Sequence, residues 1–218
     1  MELAKDVEAG QAIYSRFVLS VYDIYVFGVS NRYIWKCPTS KLVQNYENNV
    51  SGKHLDIGVG SGYLLDASRF PVEAPRVGLL DLNSNSLDVT ENRIKRYKPI
   101  IFKRNVFEKL SIGQHTFDSI GMNYLLHCLP GTMEEKSIVF DNAVEVLNPG
   151  GSLFGATLLQ KGVHLGWAAK KLMRIYNRKG IFSNAYDSVD ALEEILKSKF
   201  STYSIDIYGC AAVFSGRI

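Results

Sequence analysis

Cysteine is scarce in this chain of 218 residues: Cys37, Cys128 and Cys210 are three in number, widely spaced and without a CxxC pair. Such usage excludes a disulfide framework and a zinc-finger ligand set, and predicts a reducing compartment. No His/Asp/Glu cluster with ligand spacing appears either, so no metal is implied. No window approaches the roughly 20 uninterrupted apolar residues of a membrane span. The opening MELAKDVEAGQ is charged and lacks the apolar core of a secretory signal. These absences together predict a cytoplasmic protein with no membrane partner. A large excess of one charge is missing too: 25 basic residues face 22 acidic ones, a net charge of +3. Without a concentrated basic stripe, nucleic acid is not predicted as a partner. Lys170, Arg174 and Arg178 share a helix face, and the balanced surroundings read it as solvated.

What is present is an ordinary globular composition, 46% hydrophobic and 22% charged, at a length that suits one full-sized domain. From Asp6 to Phe27 apolar residues recur at helical spacing, and seven aromatic residues precede position 37. After Pro38 short apolar runs alternate with helical stretches. Strands are predicted at His54 to Ile57, Arg76 to Leu80, Pro99 to Arg104, Asp118 to Tyr124, Ser152 to Leu159, Phe200 to Tyr208 and Ala211 to Ser215. Helices are predicted over about 39 to 49, 61 to 69, 84 to 97, 132 to 147, 163 to 178 and 188 to 198. Thr132 and Glu135 form a capping-box pattern, and Pro149-Gly150-Gly151 is expected to stop the fourth of these helices before its strand. Repeated strand-helix units call for a mostly parallel α/β sheet with helices on both faces. The tight connection near Gly209 is too short for a crossover, so the last two strands must be antiparallel. The expected organisation is a helical extension or lid over residues 1–38 on a domain spanning 39–218, together one globular unit.

The most informative stretch runs from His54 to Tyr63, HLDIGVGSGY: an apolar strand enters three glycines at alternate positions and then a helix. Such a turn lets backbone approach a ligand closely at the carboxyl edge of a sheet. The next strand ends in Asp81, 23 residues after Gly58, where a carboxylate can accept both hydroxyls of a ribose. A dinucleotide fingerprint would carry its third glycine where Tyr63 stands, and the phosphate loop G-x-x-x-x-G-K-[ST] is absent. A G-x-G-x-G turn preceded by Asp56 fits a ligand with a ribose and an amino-acid tail but no phosphate.

These residues resemble the class I S-adenosylmethionine-dependent methyltransferases, of the small-molecule, type 11/12-like kind. LDIGVGSG is similar to motif I, LLDLN at 79 to 83 to the acidic end of the second strand, and FDSIGMNYLLHCLP to the fourth strand and its loop. VLNPGGSLFGATLL is similar to the fifth strand with its Pro-Gly-Gly turn. The resemblance covers residues 39 to 218 and implies a Rossmann-like seven-stranded sheet of order 3-2-1-4-5-7-6 with strand 7 antiparallel. Carried over by position, it implies that Gly58, Gly60 and Gly62 pass under the methionine part of S-adenosyl-L-methionine, with Asp56 on the ammonium side. Asp81 would hold the ribose, and Leu82 and Asn83 would border the adenine. Asn105 and Val106 would lie near the adenine amino group, and the backbone of Met122 or Asn123 would face the cofactor's amine.

Methyl transfer is an in-line displacement, so an enzyme contributes chiefly near-attack geometry and exclusion of water. His127 is the candidate base by family analogy, against the alternative of a locally bonded loop histidine. His164 and Trp167 are secondary pocket candidates. Tyr14, Tyr22 and Tyr25 are expected to close over the site as part of the lid. The Asn/Asp-Pro-Pro-aromatic signature of DNA amino-methylating enzymes is absent, since Asn123-Tyr124-Leu125-Leu126 lacks the prolines. With no appended recognition domain, a small-molecule acceptor of secondary metabolism is the expected substrate. A nicotinamide-dependent oxidoreductase and a non-catalytic cofactor-binding subunit are the two alternative readings.

Overall fold

A computed structural model describes residues 24–218. Tyr14, Tyr22 and most of the helical pattern expected before Phe27 lie outside them. From Ile24 to Ile34 the chain winds as a π-helix. At its end the Trp35 amide donates to the Ser30 carbonyl five residues back at 2.8 Å. The remainder alternates as expected. Helix α1 (Thr39–Asn49) precedes β1 (Lys53–Ile57), α2 (Tyr63–Ala67), β2 (Arg76–Asp81), α3 (Ser84–Arg93) and β3 (Ile100–Lys103). Then come β4 (Phe117–Asn123), α4 (Met133–Val144), β5 (Leu147–Leu158), α5 (Trp167–Arg178), α6 (Val189–Lys199), β6 (Thr202–Tyr208) and β7 (Ala211–Arg217).

The seven strands form one sheet of order β3-β2-β1-β4-β5-β7-β6. Strands β1 to β5 pair in parallel, whereas β7 runs antiparallel to both β5 and β6. This is the Rossmann-like arrangement that the family resemblance implied. The sheet separates two apolar clusters, and successive residues of β7 alternate between them: Phe214 joins one and Val213 the other. Phe140 of α4 and Leu192 of α6 pack with Phe117 on the first side. Leu42 of α1, Leu65 of α2 and Met173 of α5 pack with Phe154 on the second. Each such fully buried side chain contributes roughly 1.5–3 kcal/mol relative to exposure.

The capping box is present: Glu135 N–H donates to Thr132 Oγ1 at 3.3 Å and Thr132 N–H to Glu135 Oε2 at 2.7 Å. Two expectations need correction. The helix predicted over 84 to 97 ends at Arg93 and tightens into a 3₁₀ turn, Lys95–Tyr97, before Lys98 takes a positive φ of 48°. The Pro149-Gly150-Gly151 run does not separate helix from strand, because α4 has ended at Val144 and β5 begins at Leu147. Instead it is a bulge. Phe117 pairs with Leu147 but Ser119 with Ser152, so two steps along β4 answer five along β5. Gly150, at φ 75°, supplies the backbone turn that the bulge needs.

Candidate active site

The carboxyl ends of β1, β2 and β4 lie side by side in the sheet, and the loops leaving them enclose a cavity. Its floor is the turn after β1. Gly58, Gly60 and Gly62 have φ of 71°, 54° and 73°, a region that glycine enters without strain. A Cβ on Gly58 would meet Leu125 Cδ1 at 2.8 Å and one on Gly62 would meet Thr90 Cγ2 at 2.7 Å. Around Gly60, by contrast, a Cβ would find no atom within 4 Å. The turn is thus packed at both ends and open at its centre.

Asp81 closes β2 beside it. The Asn83 amide donates to Asp81 Oδ1 at 2.8 Å, and the amides of Val59, Gly60 and Leu82 also bond the carboxylate. Burial nevertheless pushes the carboxyl up to about 6, against the opposing pull of those amides. Asn83 then caps α3, its side chain accepting from Asn85 N–H at 2.9 Å. Leu82 and Asn83 border the cavity, and so do Asn105 and Val106, which follow the neighbouring strand β3. Asn105 folds its side chain into a local turn, with Oδ1 accepting from Phe107 N–H at 3.1 Å.

Asp56 and Asn123 face the cavity from β1 and β4. The side-chain amide of Asn123 is the odd group in this site: neither its oxygen nor its nitrogen reaches water or a hydrogen-bond partner among the described residues. A buried amide left unpaired costs of the order of 1–3 kcal/mol per polar group, a cost that a polar ligand would remove. Met122 does not share this position. Fully buried in the first apolar cluster, it contributes no lining to the cavity.

The opposite wall is aromatic and apolar. Phe27 stacks on Tyr63 with ring centroids 4.7 Å apart and lies parallel to Tyr124 at 6.4 Å. Leu125, Leu129 and Ile181 complete it. Asn31 anchors the segment that bears Phe27, since its Oδ1 accepts from Tyr124 OH at 2.9 Å and its Nδ2 donates to Thr39 Oγ1 at 3.1 Å. Thr39 Oγ1 in turn donates to the Phe27 carbonyl.

The expected base sits differently from its sequence assignment. His127 falls in a 3₁₀ turn, Leu126–Cys128, and is buried behind the wall instead of lining the cavity. Its Nδ1 accepts from Leu158 N–H at 3.3 Å, which assigns the ring proton to Nε2. Burial first, and then the nearby Lys136 cation, hold the imidazole down to about 3. A neutral ring with Nδ1 engaged and a proton on Nε2 has no lone pair to offer an acceptor. His164 and Trp167 are exposed and also stand away from the cavity.

A buried ion pair supports the same wall. Lys136 of α4 donates to Asp187 Oδ2 at 2.8 Å, Oδ1 at 3.0 Å and the Ser183 carbonyl at 2.7 Å. Ser183 N–H donates to the His127 carbonyl at 2.8 Å. Phe182 is thereby set 4.5 Å from the His127 ring, next to Ile181. Sequence reading passed over Lys136, because a lysine on an amphipathic helix ordinarily points to solvent. It also passed over Tyr63, although an aromatic residue directly after a glycine turn stands where a ligand would pass.

A sheet of this order, with an open glycine turn and a buried carboxylate at its carboxyl edge, has the Rossmann-like arrangement of the methyltransferases. Residues 55–153 match the family model described as "Methyltransferase domain". Demethylluteothin O-methyltransferase of Streptomyces thioluteus is 39% identical over 205 residues, covering 94% of this chain and 89% of that one. The Physcion biosynthesis cluster O-methyltransferase of Aspergillus chevalieri is 36% identical over 209 residues, with 95% and 94% covered. Among solved structures, the DhpI-SAH complex superposes with a TM-score of 0.68 at 14% identity, covering 97% of this chain and 96% of that one, a likeness of fold. The chain belongs to this methyltransferase family, and the oxidoreductase alternative is set aside.

Proposed function

We propose that the protein transfers a methyl group from S-adenosyl-L-methionine to an oxygen of a small, largely apolar acceptor, releasing S-adenosyl-L-homocysteine. The observation that carries the reading is the pairing of an open glycine turn at Gly60 with the carboxylate of Asp81, opposite the unpartnered amide of Asn123. That set of groups fits a ligand with a ribose diol at one end and an amino-acid tail at the other. When bound, S-adenosyl-L-methionine supplies a sulfonium methyl group open to nucleophilic attack. Asp81 would accept from the ribose hydroxyls, and Leu82, Asn83, Asn105 and Val106 would flank the adenine. Gly58, Gly60 and Gly62 would let the backbone approach the methionine part, while Asp56 and the Asn123 side chain would hold its ammonium and carboxylate groups.

The acceptor side is assigned to Phe27, Tyr63, Tyr124, Leu125 and Ile181, which exclude water and present apolar faces to a planar or hydrophobic molecule. The named O-methyltransferases of secondary-metabolite pathways among the relatives support the choice of oxygen and of a secondary metabolite. His127 acts as a support behind this wall and not as a base. Residues 1–38 would form a lid on the domain at 39–218, with Tyr14, Tyr22 and Tyr25 as its remaining contributors. No metal is given a part. No disulfide joins the three cysteines, and burial pushes Cys37 up to about 11 and Cys210 up to about 12, which fits unreactive thiols in a reducing cytoplasm.

Calorimetric titration with S-adenosyl-L-methionine, S-adenosyl-L-homocysteine and NADH, repeated on Asp81→Ala, tests the reading. Binding of the first two, lost in the variant, is expected. Binding of NADH alone would overturn it. Screening phenolic and enolic acceptors with labelled methyl donor then tests the acceptor class.

A further inference from the structure

On the side of the sheet covered by α1, five polar side chains form one hydrogen-bonded line that ends at the cavity. Tyr46 OH donates to Asp56 Oδ2 at 2.6 Å and lies 2.6 Å from His54 Nε2. His54 Nδ1 is 2.9 Å from Ser119 Oγ, which is 2.9 Å from Ser51 Oγ near the surface. Tyr46, His54 and Ser119 are wholly buried and Asp56 is 6% exposed. Phe154 closes the line from the side, stacked on His54 at 5.7 Å and edge-on to Tyr46 at 5.0 Å.

The direction of the line follows from proton counting. A phenol has one proton, and Tyr46 gives it to Asp56, so its oxygen accepts from His54 Nε2–H. Burial, followed by the charge of Asp56 and the hydrogen bond to it, pushes the phenol well above its ordinary range, which keeps Tyr46 a donor. Gly121 on β4 leaves the room the pair needs: a Cβ there would stand 3.2 Å from His54 Cε1 and 3.3 Å from Asp56 Oδ2. Aliphatic side chains at 46 and 54 would fill the same space without any polar group to satisfy. Of the groups that this buried phenol and imidazole bond, the Asp56 carboxylate is the one that borders the cavity.

We infer that Tyr46 and His54 are positioning residues that fix the orientation of the Asp56 carboxylate toward the ammonium group of an amino-acid-bearing ligand. The inference rests on the reading of the cavity as the S-adenosyl-L-methionine site. It makes a ligand-selective prediction, because only ligands with the amino-acid tail use Asp56.

The test is calorimetry of Tyr46→Phe against two probes, S-adenosyl-L-homocysteine and 5′-methylthioadenosine, which has the nucleoside but no amino acid. A hydrogen bond to a charged group is lost, so the dissociation constant for S-adenosyl-L-homocysteine should rise about tenfold or more while that for 5′-methylthioadenosine stays unchanged. Equal weakening of both probes, or of neither, would overturn the inference. Should Tyr46→Phe not fold, His54→Leu, which removes the donor behind the phenol, should give the same selective loss, and equal effects on the probes would overturn it again. Wild-type protein that binds neither probe would remove the reading of the cavity itself, and the inference with it. Wild-type protein that binds both, with Tyr46→Phe unaltered, would remove the inference alone.

Discussion

Tyr124 and Asn31 are joined across 93 residues of sequence by one hydrogen bond of 2.9 Å, and that bond fastens the segment bearing Phe27 to the end of β4. Asn31 is fully buried and Tyr124 holds a positive φ of 57°, a conformation that non-glycine residues seldom adopt. In Tyr124→Phe the ring keeps its place in the wall but Asn31 Oδ1 loses its donor. The expected cost is about 1–3 kcal/mol in denaturant unfolding, from leaving a buried acceptor unpaired. Acceptor binding should weaken as Phe27 loosens.

If Asp81 holds the ribose as proposed, it should set the acid limit of ligand binding. Its carboxyl is pushed up to about 6, and only the ionised form accepts from both ribose hydroxyls. Affinity for S-adenosyl-L-homocysteine should therefore hold above pH 6 and fall as pH drops below it. Asp81→Asn should show weak binding without that pH dependence. Titration calorimetry between pH 5 and pH 8 reads both, and a wild-type affinity flat through pH 6 would contradict the assignment.

His127 makes the opposite prediction for stability. Held down to about 3 in the folded protein, against an ordinary value of 6.5, it takes up a proton on unfolding whenever the pH lies between the two. Its contribution is fully present above pH 6.5 and is lost as pH falls toward 3, at about 1.4 kcal/mol per pH unit. Asp81, whose folded value is raised, contributes the reverse slope between about 6 and 3.8. His127→Gln should flatten the acid side of the stability profile, measured by urea unfolding at successive pH values.

At the glycine turn, folding and the proposed binding should respond to different substitutions. Gly60→Ala meets no atom, so the fold should survive with only the left-handed backbone cost of about 1–2 kcal/mol. The added methyl would stand in the open centre of the turn, and S-adenosyl-L-homocysteine binding should be abolished. Gly62→Ala, which drives a Cβ to 2.7 Å from Thr90, should instead lower the melting temperature.

The Lys136–Asp187 pair is buried on both sides, at 0% and 1% side-chain exposure. Removing one partner strands the other charge in the core. Asp187→Ala should cost about 3–5 kcal/mol, whereas the double change Lys136→Met with Asp187→Leu should recover much of it. Thermal unfolding of the two variants beside the wild type tests the pair.

Much of this was legible in the sequence because the signals were local. The glycines at 58, 60 and 62 announce positive φ, Asp81 closes the next strand 23 residues after Gly58, and the tight connection at Gly209 dictates an antiparallel final pair. Thr132 and Glu135 are three residues apart and cap their helix as that spacing demands. What escaped was non-local. Whether His127 faces the cavity or the core depends on how a 3₁₀ turn rotates between β4 and α4. Lys136 is read as a surface cation until Asp187, 51 positions later, is known to lie against it. The bulge at Pro149-Gly150-Gly151 was mistaken for a helix stop because both uses call for the same residues.

Gly209 has a consequence for the order of events in the cell. A Cβ there would collide with the Trp35 carbonyl at 2.1 Å, and the Cys210 amide donates to that same carbonyl at 3.1 Å. The stretch leading from Phe27 into the domain is thus latched by the hairpin that joins the last two strands. During synthesis, residue 35 leaves the ribosome long before residue 210, so this contact of very high sequence separation forms among the last. The nascent chain can shape its glycine turn early, but the aromatic roof over the cavity waits for the final strand pair to be made.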